Sequence, residues 1–465
     1  MIKILCNDKY LSEKEYIFDI IFDEFLGIKY CLEVNNNIKD EIIISIKENN
    51  IIFPSILFSV DESQWLKQTS MPSLPLDIFD SKDIFGNTLK IDNLPVIYGK
   101  KINNKFIKVN DKKIYVGIDI FGSCFFMLTR YEEIVVKEKD CHDRMDYVNS
   151  IAEKSNFLNR PIVNEYIELL YNIIKSIDDS IIKKQRVYKV IPTHDIDKPL
   201  GMLYDSKLQI LRHFAGDILI RKSFKSLITR VKECLELFFC KGEYINKKFE
   251  TYKFIINESK KYNLKDIFFF MNSKKSKFDG NYNVDDDNIK NIFKYINKNS
   301  HFIGLHPSYL SYKSESIIQE ETMDINRVLD ECNLNNIVGA RQHYLKWCNP
   351  TTWQIYENAD IMFDSSLTFA GKAGFRCGTC YEYSVYDLLN RKKLKLKEKP
   401  LIVMDGTLTE YMKLSYDDAL KYVVYLARQC KLYNGDFIIL WHNTTLDNLE
   451  ERKFYTHMLS IICNL

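Results

Sequence analysis

The sequence predicts an α/β protein in which a parallel sheet follows a smaller, mixed region. After about residue 187, short apolar runs alternate with longer segments of helical periodicity, which is the pattern of a parallel sheet. Before that point, short β-branched runs and one amphipathic segment occur without such alternation. The chain has 465 residues, which is too long for one ordinary core, so two domains are expected.

The first predicted domain covers residues 1–185 and is of mixed α+β type. Its β-branched runs, such as EIIISIKENN and KKIYVGIDI, favour strands. Residues 160–177 place apolar side chains on one face of a helix, and that face needs a partner. The stretch 178–187 lacks Gly and Pro and is predicted to be a short link, so we expect this domain to dock on the second. No functional site is predicted here, and CHDRMD at 141–146 is expected to be a surface loop.

The second predicted domain covers residues 186–465. Its strand-like runs are YKVIPT, DIFFFM, FIGL, NIVGA, DIMF, LIVMD and DFIILW. Helical patterns lie around residues 246–262, 286–299, 315–332, 415–431 and 446–462. These alternating elements predict a parallel sheet, either open or closed into a barrel. The basic run 391–399 is expected to be a solvated loop.

Polar and ionisable residues recur directly after these predicted strands. They include His194, Asp195, Asp197, His306, Arg341, His343, Asp364, Asp405 and His442. Active sites of barrels and open α/β sheets lie at the carboxyl ends of the strands. Carboxylates and imidazoles together are ligands for zinc or another first-row divalent ion. Such an ion would also neutralise the negative charge of one of two neighbouring aspartates, so that the other could stay ionised and act as a base.

Composition excludes several classes of protein. The net charge of +2, with scattered basic residues, argues against nucleic-acid binding. No apolar run approaches the roughly 18 residues of a membrane span, and the N-terminal apolar run is too short for a signal peptide. The twelve cysteines lie mostly in apolar or helical stretches, which indicates a reducing compartment. A cytoplasmic location is therefore expected, and the sequence indicates no oligomeric state.

Six motifs of the second domain occur in a recognisable order. They are THDID at 193–197, GLHPSY at 304–309, RQH at 341–343, GFRCGT at 374–379, VMDGTL at 403–408 and LWHN at 440–443. The set resembles the polysaccharide deacetylases of the NodB type, carbohydrate esterase family four. DIFGSCFFMLTRYEE at 119–133 resembles the domain of unknown function that commonly precedes this branch. The resemblance implies a distorted (β/α) barrel and metal-dependent removal of an acetyl group from an N-acetyl sugar.

The resemblance also implies roles for individual residues. Asp195 matches the general base and Asp197 the adjacent metal ligand, although Ile196 separates them here and the two roles could be exchanged. His306 matches the first metal histidine, while the position of the second holds Leu310.

The remaining motifs supply further candidates. Arg341 matches the residue that orients the base, His442 matches the general acid, and Asp364 is expected to tune His442. The residues expected to contact the substrate are Ser308, Tyr309, Arg376 and Asp405.

The third metal ligand is left open between His343 and His194. Neighbouring side chains of an extended segment point to opposite sides, so His194 faces away if Asp195 and Asp197 face the site. His343 shares this alternation with Arg341 and is favoured, although it could instead hydrogen-bond the substrate or the base.

The predicted function is metal-dependent N-deacetylation of a sugar in a polysaccharide or glycan precursor. A non-catalytic glycan-binding barrel is one alternative, and Leu310 at a ligand position favours it. A metal amidohydrolase acting on a small non-sugar amide is another. The paired base and acid argue for catalysis, because simple binding needs neither.

Overall fold

The computed structural model describes residues 2–80, 93–219, 224–272 and 275–465. The α-helices in these ranges are Leu11–Phe18, Ile120–Leu128, Glu132–Val135, Ile151–Lys154, Ile162–Ile177, Lys207–Leu219, Phe224–Phe239, Lys241–Lys261, Asp287–Lys298, Glu315–Glu331, Thr351–Asn358, Tyr416–Leu432 and Leu449–Ile462. The five helices predicted for the second domain are among them. None of the helices described combines the length and the apolar character that a membrane crossing requires.

The first part of the chain builds a six-stranded mixed sheet. Its strands are β1 (Ile2–Cys6), β2 (Tyr30–Val34), β3 (Glu41–Ile46), β4 (Asn49–Pro54), β7 (Ile107–Asn110) and β8 (Lys113–Val116), in the order β2-β1-β3-β4-β8-β7. A separate antiparallel ribbon pairs β5 (Asp77–Phe79) with β6 (Leu94–Val96). The buried helices Ile120–Leu128 and Ile162–Ile177 complete a mixed α+β unit.

The second part of the chain contains a parallel sheet. Its strands are β9 (Lys189–Ile196), β10 (Ile267–Phe270), β11 (Phe302–Leu305), β15 (Val403–Met404) and β16 (Asp436–Leu440), and their order across the sheet is β11-β10-β9-β16-β15. All four pairings are parallel, as the alternation of strands and helices predicts. The carboxyl ends of β9, β11 and β16 therefore meet at one edge of the sheet.

A second group of strands continues this sheet beyond β11. Ala340 bridges Leu305 on one side and Asp364 on the other, so the predicted strand NIVGA contributes a single pairing residue. Next come β12 (Phe363–Asp364), β14 (Lys392–Glu398) and β13 (Tyr383–Asp387). In the part of the chain described, the pairings do not close into a barrel. The mixed α/β class is confirmed, whereas a closed barrel is not observed.

The prediction of a solvated loop at 391–399 is wrong, because residues Lys392–Glu398 form β14. Leu394, Leu396 and Glu398 are buried, whereas Lys393 and Lys395 point outward. Successive side chains of a half-buried strand face the core and the solvent in turn, which explains this pattern. The high charge of the run as a whole does not reveal it.

The two predicted domains contact each other extensively. Tyr16 donates its hydroxyl to the Ser384 carbonyl at 2.9 Å, and the Val163 amide donates to the Gly378 carbonyl at 2.8 Å. A continuous cluster of buried apolar side chains includes residues from both parts. The boundary near residue 185 stays a prediction, since such a core does not mark where one domain ends.

Candidate active site

Two aspartates mark the carboxyl end of β9. Asp195 is buried, whereas the side chain of Asp197 is about one third exposed. Ile196 between them is fully buried in the apolar core, so the two carboxylates share one side of the strand. Strand alternation therefore explains why both aspartates reach the same site.

Arg341 holds Asp195 through a buried ion pair. Its Nη1 donates to Asp195 Oδ1 at 3.0 Å and to Thr193 Oγ1 at 2.7 Å, while Nε donates to the Ser365 carbonyl at 2.9 Å. Burial lowers the pKa of Arg341, and the charge of Asp195 opposes that effect. The guanidinium also lies over the Phe269 ring, 4.6 Å from its centroid. These contacts fix Asp195 in one orientation.

Asp197, His306 and His343 converge on a single point. Each offers one ligand atom, and these three atoms lie within 4.8 Å of one another. Asp197 Oδ1 is 3.3 Å from His306 Nε2 and 3.7 Å from His343 Nε2. Donors placed tetrahedrally at about 2.0–2.2 Å from a zinc ion are roughly 3.4 Å apart, so the distances from Asp197 to both histidines fit.

Both histidines are oriented by the hydrogen bonds of their Nδ1 atoms. His306 Nδ1 is 2.6 Å from the Arg341 carbonyl, which can only accept, so Nδ1 carries a proton and the neutral ring has its lone pair on Nε2. His343 Nδ1 is 3.2 Å from Asp279 Oδ1. A carboxylate or carbonyl on the second ring nitrogen is the usual support of a metal-binding histidine.

Asp279 is a site residue that the sequence did not indicate. Its carboxylate accepts hydrogen bonds from the amides of Tyr309 at 2.7 Å and Ser276 at 2.6 Å. Burial raises the pKa of Asp279, but His343 and these amides outweigh it and lower the pKa. Asp279 does not follow a strand, and the only local signal is the Asp279-Gly280 pair, which indicates a turn.

The three-donor cluster suits a divalent cation. Asp197 Oδ1 is buried and meets no hydrogen-bond donor with acceptable geometry among the residues described. Burial raises the pKa of Asp197, but the charges of His343 and His306 outweigh it and lower the pKa strongly. When the two imidazoles are neutral, their Nε2 lone pairs and the ionised oxygen form a donor set for zinc or a similar ion.

Two other predicted positions lie away from this cluster. His194 is fully buried, with Nδ1 2.8 Å from the Trp441 carbonyl and its ring packed on Phe268. It lies off the cluster side of β9, as the alternation predicts. Leu310, at the family's second histidine position, is 47% exposed.

His442 is held by Asp405 at the end of β16. Its Nδ1 is 2.7 Å from Asp405 Oδ1, and its amide donates to Asp405 Oδ2 at 2.9 Å. Burial lowers the pKa of His442, but the charge and hydrogen bond of Asp405 outweigh it and raise the pKa to about 10. The free Nε2 is 4.0 Å from Asp197 Oδ2. His442 therefore faces the cluster.

The expectation that Asp364 tunes His442 requires correction. Asp364 is fully buried below the site, where its Oδ1 accepts hydrogen bonds from the amide of Ser366 at 2.9 Å and from its hydroxyl at 2.5 Å. Burial raises the pKa of Asp364 to about 6. The carboxylate beside His442 is Asp405, because the loop after β15 lies next to β16 in the sheet.

An open cavity of about 800 Å³ lies above these residues. Its walls include Tyr344, Tyr411 and, from the first part of the chain, Arg144. Arg144 is 8% exposed, and its Nη1 donates to the Tyr344 carbonyl at 2.7 Å, next to His343. The expectation of a plain surface loop at 141–146 is therefore wrong for Arg144, which packs against the site.

The four predicted substrate contacts have different surroundings. Asp405 lines the cavity, where it holds His442. Ser308 is fully buried and Tyr309 nearly so, and neither belongs to the cavity wall. Arg376 is buried in an ion pair with Glu133, at 2.5 Å between Nη2 and Oε2. The prediction of substrate contact is therefore corrected for Ser308, Tyr309 and Arg376. Their side chains are buried outside the cavity and contribute to packing.

Comparisons with known proteins give one family model and a set of solved structures. Residues 2–179 match the model of a family of unknown function, DUF7033. No curated protein matches the chain.

Solved structures similar to this chain include a polysaccharide deacetylase, a carbohydrate esterase and a pseudoenzyme of the CE4 family. A putative polysaccharide deacetylase from Mycobacterium smegmatis is 12% identical, with a TM-score of 0.42, over 61% of this chain and 86% of that one. A family 4 carbohydrate esterase from Streptomyces lividans in complex with acetate is 10% identical, with a TM-score of 0.27, over 45% and 81%. A CE4 family pseudoenzyme from Bacillus anthracis is 11% identical, with a TM-score of 0.30, over 64% and 76%. Similarity at this level assigns no activity, so the proposed function rests on the residues of the site.

Proposed function

We propose that the protein is a metal-dependent hydrolase that removes an N-acetyl group from a sugar in a polysaccharide or glycan precursor. One observation supports this most strongly. A three-donor cluster, an arginine-held carboxylate and a carboxylate-held histidine meet on the floor of one open cavity. Hydrolysis of an amide needs these three parts, namely an electrophile for the carbonyl, a base for water and an acid for the amine.

Asp197, His306 and His343 would hold the ion, zinc or another first-row divalent metal. Such an ion supplies Lewis-acid polarisation of the acetyl carbonyl and makes the attacking water more acidic. Three protein donors leave room for water and substrate, as in other catalytic zinc sites. The place of Asp197 in the cluster favours it, rather than Asp195, as the ligand.

Asp195 is then the general base. Arg341 occupies its Oδ1 at 3.0 Å, while Oδ2 lies 3.7 Å from His306 Nε2 on the cluster side. In this proposal, the second oxygen takes the proton from water.

His442 is the general acid. An amine leaves poorly as an anion, so the departing nitrogen must receive a proton. Asp405 accepts the Nδ1 proton of His442, which directs Nε2 toward the cluster. Nε2 can then donate its proton to the nitrogen of the sugar.

The alternatives have weaker support. Leu310 favours a glycan-binding role without catalysis, but His343 supplies a third donor from a different loop. A small non-sugar amide would leave much of a cavity of about 800 Å³ empty. Tyr344 and Tyr411 on its walls suit the apolar faces of sugar rings. The motifs of the sequence favour an N-acetyl sugar, and the predicted cytoplasmic location favours a biosynthetic precursor over a finished wall polymer.

The test combines metal analysis with acetate release from N-acetylated oligosaccharides and from nucleotide-linked and lipid-linked N-acetyl sugars. Asp195→Asn should keep its metal and lose a factor of about 100 or more in turnover, on the scale of losing a general base. His343→Ala should lose metal, while the matched control His194→Ala should keep it. Full turnover in Asp195→Asn, or near-normal metal in His343→Ala, would overturn these assignments.

A further inference from the structure

Two helices that follow β9 expose apolar side chains. They are Lys207–Leu219 and Phe224–Phe239, here called the helix pair, and they precede the helix Lys241–Lys261. The two helices contact each other, and the second also packs against Lys241–Lys261. With this pair, the connection between β9 and β10 is much longer than the connection in a βα unit needs to be.

The second helix of the pair presents an apolar stripe. Its exposed apolar residues are Ile228, Val231, Leu235, Phe238 and Phe239, between 43% and 81% exposed. Spacings of three and four residues place these side chains on one helix face. Leu208 and Leu211 of the first helix, three residues apart, are also exposed. A folded protein rarely exposes so many large apolar side chains together unless that surface binds something.

Acidic side chains of the second helix point away from this stripe. Glu233 pairs with Lys248 at 2.8 Å and Glu236 with Lys247 at 2.7 Å, both on the helix Lys241–Lys261. The exposed cations next to the apolar residues in sequence are Lys207, Arg212, Lys232 and Lys241. Exposed positive charge therefore accompanies the apolar residues of both helices, while Glu233 and Glu236 are paired with lysines of the following helix.

Positive charge is concentrated in this part of the chain. Residues 207–241 contain eight Lys or Arg and three Asp or Glu, whereas the whole chain contains 65 and 63. The remainder of the chain thus has a slight excess of negative charge. A basic, amphipathic helix is the element that lies in the interface of an anionic bilayer, with cations at the phosphates and apolar side chains below them. In a symmetric dimer the same cations would face each other and repel, which disfavours a second copy as the occupant.

The helix pair stands next to the proposed active site. The side chain of Gln209 accepts a hydrogen bond from Asn281, two residues after Asp279. Lys248, behind the second helix, pairs with Asp447 at 2.6 Å, between the cavity residues Thr445 and Asn448. A surface bound by the pair therefore lies close to the cavity.

We propose that the helix pair binds the surface of an anionic lipid bilayer and brings the cavity to glycans anchored there. The first half of this proposal rests on the pair alone. The second half rests on the proposed function and narrows its substrate to N-acetylated glycans carried on lipid.

The test is sedimentation of the full chain with vesicles of phosphatidylcholine, either pure or with one third phosphatidylglycerol. Binding is expected only to the anionic vesicles and should weaken with added salt. Phe238→Ser with Phe239→Ser should lower the partition coefficient at least tenfold. Lys232→Glu with Arg212→Glu should also lower the partition coefficient for anionic vesicles, because the variant replaces two positive charges with negative ones. Leu389→Ser, at an exposed leucine outside the pair, is the matched control and should bind as the wild type does.

Three results would overturn the inference. They are no binding to anionic vesicles, equal binding to both kinds of vesicle, and unchanged binding of the phenylalanine variant. A dimer in sedimentation velocity that the phenylalanine variant abolishes would assign the surface to a second copy instead.

Activity measurements separate this inference from the proposed function. The phenylalanine variant should deacetylate a water-soluble N-acetylated oligosaccharide at the wild-type rate, yet lose most of its activity on the same glycan anchored in anionic vesicles. Vesicle binding without any deacetylation would reject the proposed function but would still support binding of the helix pair to anionic lipid. Equal loss on both substrates would reject the role of the pair in delivering lipid-borne glycan.

Discussion

Replacing Glu133 with glutamine should destabilise the protein by about 3 kcal/mol at neutral pH, because Glu133 joins the two predicted domains through a buried ion pair. Arg376 donates to both of its carboxylate oxygens, at 2.9 and 2.5 Å. Arg130, from the same part of the chain as Glu133, donates to Oε1 at 2.9 Å. All three side chains are at most 2% exposed, so the variant leaves buried guanidinium charge without its partner.

The size of this effect follows from the titration of Glu133. Burial raises its pKa, but the charges of Arg376 and Arg130 outweigh it and lower the pKa from 4.5 to about 2. A tenfold change in an acid dissociation constant corresponds to about 1.4 kcal/mol, so the ionised group contributes roughly 3 kcal/mol at pH 7. Because the folded-state pKa is lowered, this stability is present above pH 4.5 and is lost as the pH falls toward 2. A buried pair that loses one partner typically costs about 3–5 kcal/mol, which agrees.

The assay is urea unfolding of the wild type and of Glu133→Gln at pH 7 and pH 3. The difference in unfolding free energy should be largest at pH 7 and should shrink at pH 3. Glu153→Gln is the matched control, because Glu153 pairs with Lys372 between the same two parts of the chain but is partly exposed. The control should change stability by less than about 1 kcal/mol. Equal stability of wild type and Glu133→Gln at pH 7, or a difference that grows at pH 3, would refute the reasoning.

Three further predictions concern the proposed site. Asp279→Asn should weaken zinc binding by about 10–100-fold in titrations of metal-free protein, because it removes the anion that orients His343; unchanged affinity would exclude this role. Arg144→Met should weaken zinc binding by up to about tenfold, through loss of the hydrogen bond beside His343, and unchanged binding would make Arg144 a packing residue only. Asp405→Asn should retain zinc but lower turnover on an N-acetylated glycan by about 100-fold, because His442 loses its support; loss of zinc instead would place Asp405 among the ligands.

Local patterns predicted part of the fold correctly and failed at particular elements. Runs of buried β-branched and aromatic residues such as DFIILW identify β16, because a strand covered on both faces is continuously apolar. The run NIVGA is equally apolar, yet only Ala340 pairs with neighbouring strands. Conversely, the charged run 391–399 was predicted to be a loop but contains the strand β14, because its alternate side chains face the core. Pairing and burial depend on neighbours that are distant in the chain, so composition alone does not determine them.

By itself, the sequence determined which residues lie at the carboxyl ends of strands and, through strand alternation, that Asp195 and Asp197 share one side while His194 does not. Only the tertiary structure decided which groups support them. Asp279 lies 64 positions from His343, and Asp405 lies 37 positions from His442. Arg144 reaches the cavity from the other predicted domain. Alternation along a strand is a local property that short segments encode, whereas a hydrogen bond between distant loops exists only after the whole chain has packed.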